Sequence, residues 1–286
     1  MKISLGTANF LKIYSYKNTF ISEKNSKKIL NFLIKKKINL IDTSFDYDKF
    51  LMSKKLKNLK KFKISTKLVL DKKKIFNSKY FVKIEQILNK KIKASKIEKF
   101  ESFFIHNFDQ LNKKEIIESG KFLNKMRDKG IFKKIGASFY EISSIKKLKY
   151  LSNLKIVQVP INFANKQFLS KYFCNYLRKN NITLQARSIF LQGVLTDNLK
   201  NLKRQNFIDR NFLTKLDYWC KKNNISKFKY CLNFIKSHKN IDEIVVGVEN
   251  TEQLNEIIKV LNEKKIFDYP KNLMSKNKRF IDPRKW

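Results

Sequence analysis

The sequence is poor in residues that punctuate or cross-link a chain. It has six Gly, three Pro, three Cys and two His among 286 residues. The cysteines, Cys174, Cys220 and Cys231, are odd in number and form no CxxC pair or Cys/His cluster. That disfavours both a disulfide framework and a zinc site. No G-x-G-x-x-G follows the first apolar run, which weighs against an open dinucleotide-binding sheet. No Pro- or Gly-rich linker divides the chain, so one domain over residues 1–286 is expected. No stretch stays apolar for the ~18 residues a membrane span needs. The first residues, Met1 to Gly6, lack the apolar run of a secretory signal. These absences point to a reducing cytoplasm and to no membrane partner.

Acidic residues are also scarce. The 24 Asp and Glu face 64 Lys and Arg, for a net charge of +40. Such a charge suggests a polyanion partner. Yet only seven of the basic residues are Arg: Arg127, Arg178, Arg187, Arg204, Arg210, Arg279 and Arg284. Nucleic-acid readers rely on Arg for bidentate contacts, and no helix-turn-helix, zinc-finger or aromatic RNA motif is visible. Lys is spread over nearly every helical segment, beside an excess of Asn, Ile and Phe, as A/T-rich codons produce. Solvated lysines on helix faces are therefore expected, and no specific nucleic-acid partner. Anionic small molecules should still be drawn to the surface at low salt.

What remains is a strong alternation. Short runs rich in β-branched and aromatic residues occur at 3–8, 40–43, 64–67, 103–106, 134–138, 156–159, 183–188 and 243–248. Lys-rich amphipathic segments lie between them, including 26–37, 80–88, 115–129, 167–179, 212–223 and 252–261, with Gly130 placed to end a helix. Eight strands, each followed by a helix, imply a parallel sheet closed into a single (β/α)8 TIM barrel of α/β class. The tail, about 265–286, is expected to pack on the barrel. His238 follows a Lys-rich helix and reads as a surface residue.

Active sites of such barrels sit where strands end. Here the second strand ends in Asp42, the third in Lys67 and the fourth in His106, while Tyr47 lies five residues past Asp42. Each has an ordinary explanation alone: a capping Asp, one Lys of many, a loop Tyr, a strand-end His. Together they suggest proton chemistry at a carbonyl. Tyr is a poor base but an available acid at neutral pH. A nearby ammonium would lower its pKa, and Asp would hold that ammonium in place. His could donate to the oxygen where charge develops.

These residues are similar to those of the aldo-keto reductases. Leu5-Gly6-Thr7-Ala8-Asn9-Phe10 resembles that family's opening strand. Ile41-Asp42-Thr43-Ser44-Phe45-Asp46-Tyr47, Ile64-Ser65-Thr66-Lys67 and Phe104-Ile105-His106-Asn107 resemble the segments bearing its tetrad. Ile135 to Ser138, Val157 to Asn162, Ala186 to Gly193 and Val246 to Leu254 follow in family order. The resemblance implies a catalytic tetrad of Asp42, Tyr47, Lys67 and His106. It implies NADP or NAD as cofactor, bound by Gly6, Thr7, Ser138, Gln158, Arg187, Ser188, Phe190, Gln192, Gly193, Gly247, Val248, Glu249 and Gln253. It implies a small carbonyl or sugar-type substrate. The Arg187 to Gly193 run and the closing Ile281 to Trp286 resemble a branch associated with surface-polysaccharide and nucleotide-sugar pathways. Departures are Phe139 in place of Asn, Arg187 in place of a stacking Tyr, Glu249 near the 2′-phosphate pocket and Ile257 near the adenine. Leu11 and Ser15 also replace glycines of the opening turn. The alternatives are a non-catalytic nicotinamide-nucleotide-binding barrel, acting as sensor or scaffold, and a Schiff-base enzyme using Lys67.

Overall fold

The computed structural model describes all residues except 16, 54, 55, 57, 203, 204, 265–269, 271 and 272. Eight strands, β1 (Lys2–Gly6), β2 (Leu40–Asp42), β3 (Lys63–Leu68), β4 (Phe100–Ile105), β5 (Phe132–Ser138), β6 (Leu154–Pro160), β7 (Thr183–Arg187) and β8 (Glu243–Val246), pair in sequence order. All pairs are parallel, and β8 pairs with β1 to close the barrel. The expected (β/α)8 barrel is the observed fold. Strands covered on both faces read as continuous apolar runs. Accordingly β4, Phe-Glu-Ser-Phe-Phe-Ile, buries every residue but Glu101. One close approach requires glycine. A Cβ on Gly136 of β5 would stand 2.4 Å from Cδ1 of Phe104 on β4, so its absence makes room for that ring.

The helices are α1 (Glu23–Lys35), α2 (Ser78–Ser95), α3 (Lys113–Asp128), α4 (Ile145–Leu148), α5 (Lys171–Lys179), α6 (Arg210–Lys222), α7 (Lys227–Lys236) and α8 (Thr251–Asn262). Side-chain oxygens fix most of their starts. Ser22, Asn77, Asn112, Ser170, Asp209, Ser226 and Asn250 each accept a first-turn backbone N–H, worth about 1 kcal/mol apiece. Asn112 and Glu115 cap each other's backbone reciprocally.

The helix ends show how a glycine-poor chain turns. After α3, Gly130 (φ +76) donates to Arg127 O and Ile131 to Met126 O, a left-handed C-cap. The same pair of bonds closes α1, α5 and α6, but the left-handed residues there are Lys37, Asn181 and Asn224. In each case a following Ile packs down on the helix end. Without glycine, a left-handed residue costs roughly 1–2 kcal/mol, least for Asn.

Some details differ from the sequence reading. No α-helix follows β2 among the described residues; 3₁₀ turns at Lys49–Met52 and Leu59–Lys61 stand there instead. Two helices, α6 and α7, follow β7. His238 is half-buried rather than on the surface: its ring packs on Phe234 at 4.6 Å, and Nδ1 lies 2.7 Å from Phe234 O. Residues 265–269, 271 and 272 of the tail lie outside the described residues. The rest of it docks on the barrel. Phe280 is fully buried, Trp286 stacks on Phe207 at 4.8 Å, and Ser275 Oγ donates to Asp209 Oδ2 at 2.5 Å.

Candidate active site

Register sets which side chains meet at the strand ends. Gly6, Asp42 and Ser65 lie side by side on β1, β2 and β3, and Ser138, Gln158 and Gln185 on β5, β6 and β7. Lys67 and Asp42 are buried, at 1% and 3% exposure. Two isolated charges so deep would be untenable. They pair: Lys67 Nζ lies 2.5 Å from Asp42 Oδ2 and 2.7 Å from Oδ1. Gln158 Nε2 donates to Asp42 Oδ1 at 2.7 Å and to Gln185 Oε1 at 2.6 Å, and Gln185 Nε2 donates to Glu243 Oε2 at 3.0 Å. A polar chain thus runs from Lys67 to the start of β8. Burial pushes the Lys67 ammonium below the ordinary lysine range, and Asp42 opposes that shift. Thr7 holds the same strand end, its Oγ1 donating to Asp42 O at 3.1 Å.

Tyr47 and His106 share this mouth with the pair. Burial pushes the Tyr47 phenol well above 10; the Asp42 carboxylate and Tyr14 add to the rise, and the Arg187 guanidinium opposes it. The expected lowering by Lys67 does not prevail, because burial and the Asp42 carboxylate, 2.5 Å from Lys67, outweigh it. Tyr47 therefore keeps its proton at neutral pH. The His106 imidazole is held below its usual pKa, first by burial, while its bond to Asp46 works upward. Its Nδ1 lies 3.4 Å from Asp46 Oδ2 and 3.5 Å from Ser44 Oγ. Ser44 Oγ itself donates to Asp46 Oδ2 at 3.1 Å. The proton on Nδ1 therefore faces Asp46, an orientation inferred from these partners. The His106 bond in turn lowers the Asp46 pKa.

The other sequence-selected residues fall into distinct places. Ser138 Oγ and Gln158 Oε1 are buried without partners on adjacent strands. A hydroxyl beside an amide oxygen is the set that a primary carboxamide satisfies. After β7, Ser188, Leu191, Gln192 and Gly193 all have positive φ, from 47 to 86°. Three of the four are not glycine, and strained backbone of this kind collects at functional sites. Ser188 Oγ accepts from Arg187 Nη1 at 3.5 Å. Gly6 ends β1, packed against Val245. Val248 is buried, and its carbonyl accepts from Asn9 Nδ2 at 3.2 Å. A Cβ on Gly247 would meet nothing within 4 Å, leaving open space before the α8 N-terminus, an end that favours anions. Gln253 is engaged locally, its Oε1 accepting from Glu249 N at 2.8 Å. Phe190 stacks on Phe228 of α7 at 5.1 Å. Ile257 is buried in the core.

Phe139 is fully buried among Phe108, Phe168 and Phe173. Its neighbour Tyr140 instead carries the Arg187 guanidinium at 4.0 Å. Leu11 (φ 56) and Ser15 (φ 73) adopt left-handed backbone, so the opening turn keeps a glycine-like course at a cost in strain. Sequence reading gave no role to Ser44, Asp46, Gln185, Glu243 or Tyr140. It also passed over the Lys17–Asp197 ion pair (2.7 Å), which ties the opening turn to the loop after β7 beside Gly193. One signal was present: Thr-Leu-Gln-Ala-Arg places a Gln at the buried centre of β7, in the period-2 register of Arg187.

Such a mouth can bind a carboxamide, protonate an oxygen and orient a polarised carbonyl. That defines an oxidoreductase of the nicotinamide-dependent barrel type. The sequence matches the Aldo/keto reductase family over residues 2–271. The chain belongs to that family of NAD(P)H-dependent oxidoreductases. Among solved structures it is similar to an aldo-keto reductase of Bacillus halodurans in holo form, with TM-score 0.73 and 13% identity over 93% of this chain and 88% of that one. It is also similar to a glycerol dehydrogenase of Gluconobacter oxydans, with TM-score 0.63 and 17% identity over 96% and 95%. At such identities the likeness shows the fold. No curated protein sequence matches the chain.

Proposed function

We propose that the protein reduces a small aldehyde, ketone or sugar-type carbonyl, with Tyr47 as proton donor. The observation carrying this reading is a phenol held protonated beside a buried Lys67–Asp42 pair. A reduced nicotinamide supplies the hydride when bound. Ser138 and Gln158 would hold its carboxamide, with their unpartnered oxygens as the basis. Gly6, Thr7, Ser188, Phe190, Gln192, Gly193, Gly247, Val248, Glu249 and Gln253 would border the rest of the nucleotide, and Arg187, expected among them from the resemblance, lies over Tyr140 and is left to the substrate side of the mouth. For Phe190 and Gln253 that contact is secondary to the local packing described above.

Tyr47 gives its proton to the carbonyl oxygen as charge develops there. Lys67 offsets that charge, and Asp42 orients Lys67. His106 borders the oxygen site and Asp46 fixes its ring. With Nδ1–H directed at Asp46, donation to the carbonyl requires the doubly protonated ring, so Tyr47 is the principal donor. Near Gly247, Glu249 is exposed. A carboxylate there suits ribose hydroxyls better than a phosphate, which favours NADH over NADPH. A role in surface-polysaccharide or nucleotide-sugar chemistry follows from the resemblance of residues 187–193 and 281–286.

The test is oxidation of NADH and of NADPH by purified protein with aldehydes, keto-sugars and nucleotide-sugars. Turnover is expected with at least one substrate and should be lost in Tyr47→Phe. Nucleotide binding without turnover across the panel would instead favour the sensor reading. A preference for NADPH of about 100-fold, or ~2.7 kcal/mol, would contradict the role given to Glu249.

A further inference from the structure

Two arginines lie on one ring at this mouth. The guanidinium carbons of Arg187 and Arg284 stand 4.0 and 3.7 Å from the Tyr140 centroid. Their charges are treated differently. Arg284 is paired with Asp109 at 3.0 Å and Asp282 at 2.8 Å. Arg187 has no carboxylate partner among the described residues. Its Nη1 reaches Ser188 Oγ at 3.5 Å, while Nε and Nη2 are buried with no hydrogen-bond partner. Nε and Nη2 form one edge of the guanidinium, the edge that takes a carboxylate through two parallel bonds. The Tyr140 face offsets part of the charge, but no hydrogen-bond acceptor among the described residues meets these two nitrogens. A buried charged edge left unsatisfied is costly and asks for a partner from elsewhere.

Among the described residues the carboxylates around this ring are engaged elsewhere, Asp109 and Asp282 by Arg284. Asp42 is neutralised by Lys67, and Asp46 is engaged by His106 and Ser44. Arg187 ends β7, and its charge is felt by Tyr47, His106 and Lys67 alike. An anion held on it would lie beside the group that protonates the carbonyl.

We infer that Arg187 is a specificity-determining residue that receives a carboxylate of the substrate, so that the preferred carbonyl compound is a planar-anion-bearing aldehyde or ketone. As a statement about substrate, this rests on the reductase reading above. The Tyr140 ring, 4.0 Å from the guanidinium carbon, restrains the side chain, so less entropy is lost when an anion binds. Lysine could supply the charge at this position but not the two-toothed edge.

Binding tests this apart from catalysis. Calorimetric titration with 4-methylbenzoate and with 4-methylbenzamide, at about 0.15 M salt to screen the surface lysines, compares an anion with its neutral isostere. The benzoate should bind more tightly by roughly tenfold to a hundredfold, as expected for charge-assisted hydrogen bonds. Arg187→Met should remove the difference and Arg187→Lys should keep part of it, while Lys239→Met, an exposed lysine on the surface, should leave it intact. Equal binding of the two probes, or a preference surviving in folded Arg187→Met, would overturn the inference. If Arg187→Met does not fold, full retention of the preference in Arg187→Lys would overturn the bidentate edge. Turnover separates the two readings. Equal kcat/KM for 4-carboxybenzaldehyde and its methyl ester would sink the carboxylate site and leave the reductase standing. Benzoate selectivity without nucleotide oxidation by any aldehyde would leave the anion site and sink the reductase.

Discussion

Replacing Lys67 with Met tests the energetics of the site most sharply. Lys67 and Asp42 are 1% and 3% exposed, and their contact is 2.5 Å. Removing the ammonium leaves Asp42 buried, with the Gln158 amide as its remaining charge-stabilising partner at 2.7 Å. Breaking one side of such a pair costs about 3–5 kcal/mol, because the other charge stays uncompensated. Global stability is of order 5–15 kcal/mol, so the loss is a large fraction. In melting temperature it amounts to roughly 5–8 °C for a chain of this size. The double variant Lys67→Met/Asp42→Leu removes both charges and should recover most of that. It would still leave Gln158 Nε2 short of one acceptor, at about 1 kcal/mol. Thermal and urea denaturation would measure both variants. Activity should be absent in each, which separates stability from catalysis. If Lys67→Met melts with the wild type, or the double variant melts no higher than the single, the pair is not the buried, mutually dependent unit described here.

The His106 pKa is depressed by burial, so between that value and 6.5 the unfolded chain binds more protons. We predict that stability falls as pH drops through this window, and falls again below about 3.8 as Asp46, whose folded pKa is also depressed, is protonated. With two histidines in the chain, NMR titration resolves His106 directly; Asp46→Asn should move its pKa further down, and an upward shift would contradict the assigned contact. Because burial raises the Tyr47 pKa and lowers that of Lys67, an alkaline fall in kcat/KM for reduction should report loss of the Lys67 charge rather than of the Tyr47 proton. A fall that tracks phenolate formation in the ultraviolet spectrum would mean that Lys67 lowers the phenol pKa after all. Lys37→Gly should raise the melting temperature by roughly 1–3 °C through relief of left-handed strain. Lys35→Gly, inside the last turn of α1, should lower it.

The barrel was legible because strand and helix differ in hydrophobic period and the alternation repeats eight times. The region between β2 and β3 was not, because 3₁₀ turns share the helix's apolar spacing over so few residues. Asp42, Lys67 and His106 stood out as polar ends of apolar strands. Their electrostatics did not follow from the sequence, since the sign of the Tyr47 shift is set first by burial and then by the Asp42 carboxylate. Phe139 stands where the resemblance implies an Asn at the carboxamide, yet its ring packs into an aromatic cluster just past β5, and Tyr140 lies beside Arg187. The left-handed positions Leu11, Ser15 and Leu191 break local rules, so no propensity argument finds them. They sit in loops at the mouth, where strain is tolerated for function.

The central claim, a hydride-transfer site with Tyr47 as its acid, is tested most directly by isotope transfer. Nicotinamide nucleotide deuterated at the transferring position would be incubated with protein and an aldehyde, and the alcohol examined by mass spectrometry. Deuterium is expected on the former carbonyl carbon. The rate should fall by about 100-fold or more in Tyr47→Phe, with nucleotide affinity little changed. Undiminished deuterium transfer in Tyr47→Phe would contradict that claim.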